Sequence, residues 1–329
     1  MKIKLLTSII VTVLLFQNTA FSQGFDSTQI GKEYPYTFPI LGKKAYAKGY
    51  KLPKPHGLML NYINTQQDIV LENFEMGFSN PSSPNFTDDD YIDFSKIINF
   101  GPSNVVINTL NFRVDTWILP FLSIGGYYGQ YTGQTTVNLN SPIELTAVSD
   151  ADGAYWGANV LVAVPVGPVN LVADYSASFS QNELLTKPVK VNVAGLRVIK
   201  NIPIKGKEDM FVGFWGGVQL QFLAAKTEGS IELKEVIDSD GTFEDDLNTW
   251  YEGLTAGEKL TYGNRLYDSL GNLVNTTVHY RFDKRLAKNW NYLIGGQWQI
   301  NRTWQFRSEL SFIKGKRQFM ASLNYRFGI

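Results

Sequence analysis

The sequence predicts an all-β chain: a transmembrane antiparallel up-and-down β-barrel of about ten strands, with long extracellular loops and short periplasmic turns. Three observations predict it. The first is period-two alternation near the end of the chain, where Phe319, Ala321, Leu323, Tyr325 and Phe327 share one face and Met320, Ser322, Asn324 and Arg326 the other. Apolar side chains toward lipid, polar ones toward a lumen and aromatics at the membrane edges produce this pattern. The second is a secretory leader at residues 1–22: Lys2 and Lys4, a mostly apolar run to Phe16, and a small-x-small cleavage site at Ala20-Phe21-Ser22. The third is that short connections alternate with longer ones along the chain.

Composition narrows the class. Lys plus Arg number 30 and Asp plus Glu 30, so no charge excess points to nucleic acid. The absence of cysteine excludes a disulfide framework and a lipid on cysteine. No apolar run reaches the length of roughly 18 residues that a spanning helix needs. The slightly negative mean hydropathy fits a barrel, in which only every second strand residue must be apolar, and fits a soluble sandwich equally well.

Residues 23–56 do not read as strand. Pro35, Pro39, Pro53 and Pro55 interrupt them, and five lysines between 43 and 54 make them basic. They are expected to form a periplasmic lead-in or a plug, with the barrel occupying 57–329. The strands are expected at 58–74, 104–119, 122–139, 154–164, 169–179, 189–199, 210–223, 286–300, 304–313 and 318–327. The second is the clearest: Val106, Leu110, Phe112, Val114 and Ile118 share a face, opposite Asn111, Arg113 and Asp115. In the sixth, Gly195 interrupts the alternation and suggests a bulge.

Turns around Pro120, at Pro165 to Pro168, at Ile202 to Lys207 and at Asn301 to Thr303 are short. Ten strands starting from a periplasmic N-terminus put all four on the periplasmic side, as outer-membrane barrels have them. A soluble sandwich predicts no such asymmetry. The connection at Lys314 to Arg317 is a short outer hairpin, and a count of twelve is reached if residues 275–282 pair with another loop segment.

Three phrases carry a resemblance: GLMLNYINTQQD at 57–68, RVDTWILPFL at 113–122, and WQFRSE at 304–309 followed by LNYRFG at 323–328. They resemble a family of Gram-negative outer-membrane β-barrel proteins without an assigned activity. The resemblance implies a barrel in the outer membrane and no catalytic residues to carry over. It also implies partners: outer-membrane lipid and lipopolysaccharide, and the barrel-assembly machinery, whose terminal signal would be Tyr325 and Phe327. Here Gly328 and Ile329 follow the aromatic, where the commonest form ends on Phe.

An Arg or Lys facing lipid near the midplane costs roughly 2–4 kcal/mol, so charged strand residues are expected to line the lumen. Arg113 and Asp115 fall on one strand, and Arg307 and Glu309 on another. Asp174, Gln297, Gln299, Asn324 and Arg326 are expected to face in as well. Opposed charges there would either lock the interior or line a thin polar path, with Arg113–Glu309 or Asp115–Arg307 crossing the lumen.

The loops offer less. Asp238, Asp240 and Glu244 are weak calcium candidates, because their spacing fails the EF-hand pattern. Residues 243–253 suit a short helix, with Trp250 and Tyr251 exposed or folded on the barrel mouth. His279, near Thr277 and Asp283, is the one candidate base for a hydrolase. The reading that results is a narrow pore for small polar solutes that needs no cofactor. A closed structural or surface-binding barrel is the alternative, and an outer-membrane hydrolase a third.

Overall fold

A computed structural model describes residues 30–80, 84–95, 97–141, 145–182, 188–207, 209–232, 242–270 and 276–329. The leader at 1–22 and residues 23–29 lie outside the described residues. The rest is a closed antiparallel barrel of ten strands. In chain order these are β1 (His56–Ser79), β4 (Ser103–Leu119), β5 (Leu122–Ser141), β7 (Gly153–Val166), β8 (Val169–Asn182), β9 (Val189–Pro203), β10 (Phe211–Glu232), β12 (Trp290–Gln299), β13 (Trp304–Ile313) and β14 (Lys316–Phe327). Each pairs with its neighbour in sequence, and β1 closes the cylinder against both β4 and β14, with His56 opposite Phe327 and Thr116. Closure leaves no strand edge with unpaired backbone groups, the condition for backbone to cross lipid.

Alternation decides what each face meets. On β4, Leu110, Phe112 and Val114 are exposed on the outside while Asn111 and Asp115 are buried within. The exposed outer band continues through Phe214 and Val218 on β10, Ile294 on β12, Leu310 on β13 and Leu323 on β14. Trp304 and Tyr325 pack ring to ring at 4.9 Å near the end where β14 finishes, and Trp290 and Tyr292 at 5.0 Å near the other end. Strands β12 and β13 have 10 residues each, the length a tilted strand needs to cross the hydrocarbon. Among the described residues no helix is long and apolar enough to do so. Phe112 lies near the middle of the band, so Phe112→Arg is expected to lower stability by about 2–4 kcal/mol. Urea unfolding of barrels refolded in lipid vesicles would measure this, and an unchanged midpoint would place the band elsewhere.

Four short connections lie at one end, at Pro120-Phe121, Gly167-Pro168, between β9 and β10, and at residues 300–303, while the tight hairpin at Lys314-Gly315 between β13 and β14 turns at the other. At the opposite end β1 and β10 outrun their neighbours. There β11 (Thr277–Leu286) inserts between them, above β12–β14, pairing Leu71 with Lys284 and Ile231 with Val278. The segment suspected of raising the count to twelve is thus a strand, but it stands on the rim and the cylinder keeps ten. Leu286 belongs to β11, not to the strand that follows. A bulge between Glu72 and Glu75, with Asn73 at φ 53°, reverses the parity of β1 and turns Phe74 and Met76 inward. Two short strands, β2 (Ile92–Asp93) and β3 (Asn99–Phe100), edge β1 and β5, and β6 (Leu145–Asp150) pairs with the far half of β5, beyond β7.

The described part of the N-terminal segment, residues 30–55, sits at the short-turn end. It contains one short helix, α1 (Gly42–Ala47). Ile40 N donates to Ile118 O at 2.7 Å, Lys54 Nζ to Thr303 Oγ1 at 2.7 Å, and Arg326 Nε to Lys54 O at 2.9 Å. At the long-loop end, α2 (Thr242–Gly253), α3 (Ala256–Glu258), a π-helical turn (Lys259–Gly263) and α4 (Asn264–Leu270) come from the largest loop. Trp250 and Leu266 fold against Phe94 and Ile98 of the first loop and Phe74 and Met76 of β1, so the helical loop packs on the barrel mouth.

Candidate functional site: a chamber in the lumen

The barrel holds a chamber of about 730 Å³, within the size range of small-molecule sites. Its floor is built on β8, β9, β10 and β13. Arg197 donates through Nε and Nη2 to the two carboxylate oxygens of Glu309 at 2.7 and 3.0 Å, and its Nη1 also binds Asp174. Trp215 Nε1 donates to Glu309 Oε2 at 2.7 Å. Arg307 lies over the Trp215 ring at 5.1 Å. The indole lies flat on the wall because Gly295 opposite has no side chain: a Cβ there would come within 2.3 Å of the ring. Gly295→Val is therefore expected to displace Trp215, break its bond to Glu309, and cost about 1–3 kcal/mol by overpacking. Loss of the buried-tryptophan emission, read beside the unfolding midpoint, checks this.

Gly195 has a similar cause. The register of β9 with β8 and β10 runs through it unbroken, so the expected bulge is absent. Glycine stands there because a Cβ would meet Asp174 Oδ1 at 2.6 Å and Arg197 Nη1 at 2.5 Å.

Below the floor the lumen is filled. Trp215, Ile199, Val172 and Ala163 pack together with Trp117 and Leu161 against them. Nearby, Arg326 Nη1 donates to Asp115 Oδ1 at 3.1 Å and its Nη2 to Pro55 O at 3.2 Å, while Arg113 Nε stands 3.9 Å from Asp115 Oδ2. A polar ladder continues beside it: Gln297 to Asn201 at 3.2 Å, Gln305 to Gln297 at 2.9 Å and Asn324 to Gln305 at 3.4 Å. Gln299 ends this row, paired in register with Gln305.

Arg113, Asp174, Arg307 and Glu309 border the chamber, and Asp115 is buried against Arg326, but the partners differ from the two expected cross-lumen pairs. Glu309 takes Arg197 rather than Arg113, and Asp115 takes Arg326 rather than Arg307. Arg197 and Trp215 were missed. Continued alternation through Gly195 puts Arg197 inward opposite Leu196 and Val198, but reading a bulge there obscures it. Trp215 faces in against the rule that barrel aromatics face lipid.

The upper wall is the larger departure. Leu71, Val105, Ile107, Val137 and Phe282 make it apolar, and Ile98, Phe100 and Leu266 roof it from the loops. Lys284 on β11 is the cation among them, and burial pushes its ammonium down to about 8. Asp238 and Asp240 lie outside the described residues, and of Glu244 only the backbone is described. The described residues contain no cluster of three or more His, Cys, Asp or Glu fit to hold a metal. His279 is paired with neither Thr277 nor Asp283. Its Nε2 stands 2.8 Å from Ser79 Oγ, Phe86 stacks on its ring at 3.8 Å, and Asn73 Nδ2 donates to Asp283 Oδ2 at 2.6 Å.

No family model matches the chain, and no curated protein matches it. Solved membrane barrels do align. They include the β domain of the Bordetella autotransporter BrkA (10% identity over 83% of this chain and 100% of that one, TM-score 0.37). The outer membrane protein OprG from Pseudomonas aeruginosa aligns at 8% identity over 84% and 98%, TM-score 0.34. An outer membrane channel from Pseudomonas putida F1 aligns at 8% over 84% and 97%, TM-score 0.32. Scores this low assign no activity to any residue.

Proposed function

We propose that the protein is an outer-membrane barrel that admits small solutes from the outer side into its chamber and passes them inward by passive permeation. The observation that carries the reading is the chamber itself, hollow through the upper barrel and lined by both apolar and charged side chains. The exposed apolar band and the leader support the outer membrane as its location. Lipid and lipopolysaccharide would surround it, and Tyr325 and Phe327 would mark the last strand for the assembly machinery. Residues 30–55 would lie on the periplasmic side.

The test is single-channel recording of the purified protein in a planar bilayer. Discrete steps whose size changes in Arg307→Ala support permeation. A second reading, a closed barrel that acts through its outer loops, is favoured by the filled lumen below the floor. A silent bilayer with folded, inserted protein would replace the first reading with the second.

A further inference from the structure

We propose that the chamber binds an amphipathic organic anion, with its acid group on Arg113 and Arg307 at the floor and its apolar body along the upper wall. This rests on the chamber being a solute compartment, and it names the chemistry of the solute.

The charges around the chamber are unbalanced. Its lining includes Arg113, Arg197, Lys284 and Arg307 against Asp150, Asp174 and Glu309. Asp174 and Glu309 both serve Arg197. Asp115 is shared by Arg326 and Arg113 and is the closer to Arg326. Arg307 lies among Arg113, Arg197, Glu309 and Asp174, yet its contact is the face of Trp215. The Nε atoms of Arg113 and Arg307 are both buried without a hydrogen-bond partner. Like charges in a space of low dielectric repel strongly, and an anion between them relieves that repulsion. A carboxylate also fits guanidinium donors geometrically. Other chamber-lining polar atoms lack partners too, among them Gln219 Oε1, Asn61 Oδ1 and Ser322 Oγ.

The body of the ligand is set by the wall. From Arg113 to Val105 along β4 is roughly 26 Å at about 3.3 Å per residue, or about 20 Å of height after strand tilt. Over that height the wall passes from Arg113 through the polar Asn111 and Thr109 to Ile107 and Val105, beside Leu71 and Phe282. A small inorganic anion would leave this apolar surface uncovered, and a neutral hydrocarbon would leave the guanidiniums unpaired. Lys284 stands on the upper wall, where an anion entering from the loops would pass it.

The experiment is calorimetric titration of the full barrel in lipid nanodiscs with dodecanoate, dodecanol and dodecyltrimethylammonium, whose chains are long enough to run from the floor to the apolar wall, with empty nanodiscs as baseline. Saturable dodecanoate binding is expected, with both analogues weaker by roughly tenfold or more. Arg307→Gln and Arg113→Gln should each weaken dodecanoate by about tenfold and leave dodecanol unchanged, while Lys284→Met should cost less than either. Heat-modifiable gel mobility verifies that each variant is folded. Wild-type barrels that bind dodecanoate no better than dodecyltrimethylammonium would overturn the proposal, and this arm needs no variant. So would loss of dodecanoate binding in Lys284→Met with the arginine variants unaffected. Dodecanoate binding in a barrel silent in bilayers would sink permeation and leave the ligand class standing. Conductance without dodecanoate binding would do the reverse.

Discussion

Arg197→Ala is expected to destabilise the barrel by about 3–5 kcal/mol, because it strands the buried Glu309 carboxylate and the partly buried Asp174 carboxylate at once. Glu309 would lose both charge-assisted bonds and Asp174 its ion pair. Trp215 alone would still donate to Glu309. The magnitude comes from leaving charge unpaired, not from the net worth of the bridge. The triple change Arg197→Met, Glu309→Leu and Asp174→Asn is therefore expected to recover most of the loss, since apolar replacement of a whole buried ion network is often neutral. Urea unfolding midpoints in lipid vesicles would measure both. Additive losses across the three sites would show that the groups are not coupled.

The second large effect concerns permeation. Leu266→Asp is expected to detach the helical loop from the barrel mouth. Leu266 is 1% exposed, packed with Phe94 and Ile98, and a carboxylate placed there would cost several kcal/mol if it stayed buried. Swinging α4 into water avoids that cost without touching the ten strands. Solute entry into the chamber should rise severalfold while the barrel's unfolding midpoint stays near wild type. Uptake by protein-loaded liposomes would show the first, and urea titration the second. A lower midpoint with no change in uptake would mean that the loop stabilises the mouth without covering it.

The cylinder was legible because alternation is a local signal. β4 reads from its own residues: Leu110, Phe112 and Val114 must face one way if Asn111 and Asp115 face the other. The turns were equally legible, since proline and glycine punctuate the short ones. Pairing inside the lumen was not. Which of several arginines meets Glu309 depends on strand tilt and on which opposing positions are glycine, and these are set by the closed barrel as a whole. The upper wall was missed for a related reason. Val105 and Ile107 lie in a strand whose outer face there also carries Val106, so a two-sided apolar stretch hides its inward half. The rim strand β11 reads from sequence only as a candidate extra strand against a loop, because its partners belong to overhangs of β1 and β10 that no local pattern announces.

The flat seat of Trp215 over Gly295 bears on time as well as on shape. The ten strands are locked in a closed ring of backbone hydrogen bonds, so a solute that crosses the floor does so through turning side chains on fixed staves. Exposed side chains hop in picoseconds to nanoseconds, but Trp215 is buried and bonded to Glu309, and a packed loop that lifts from a mouth moves in microseconds or longer. Each end of the chamber therefore carries its own slow step. In the proposed permeation path, the loop would set how often a solute enters, and the indole with its arginine neighbours would set whether the way down opens.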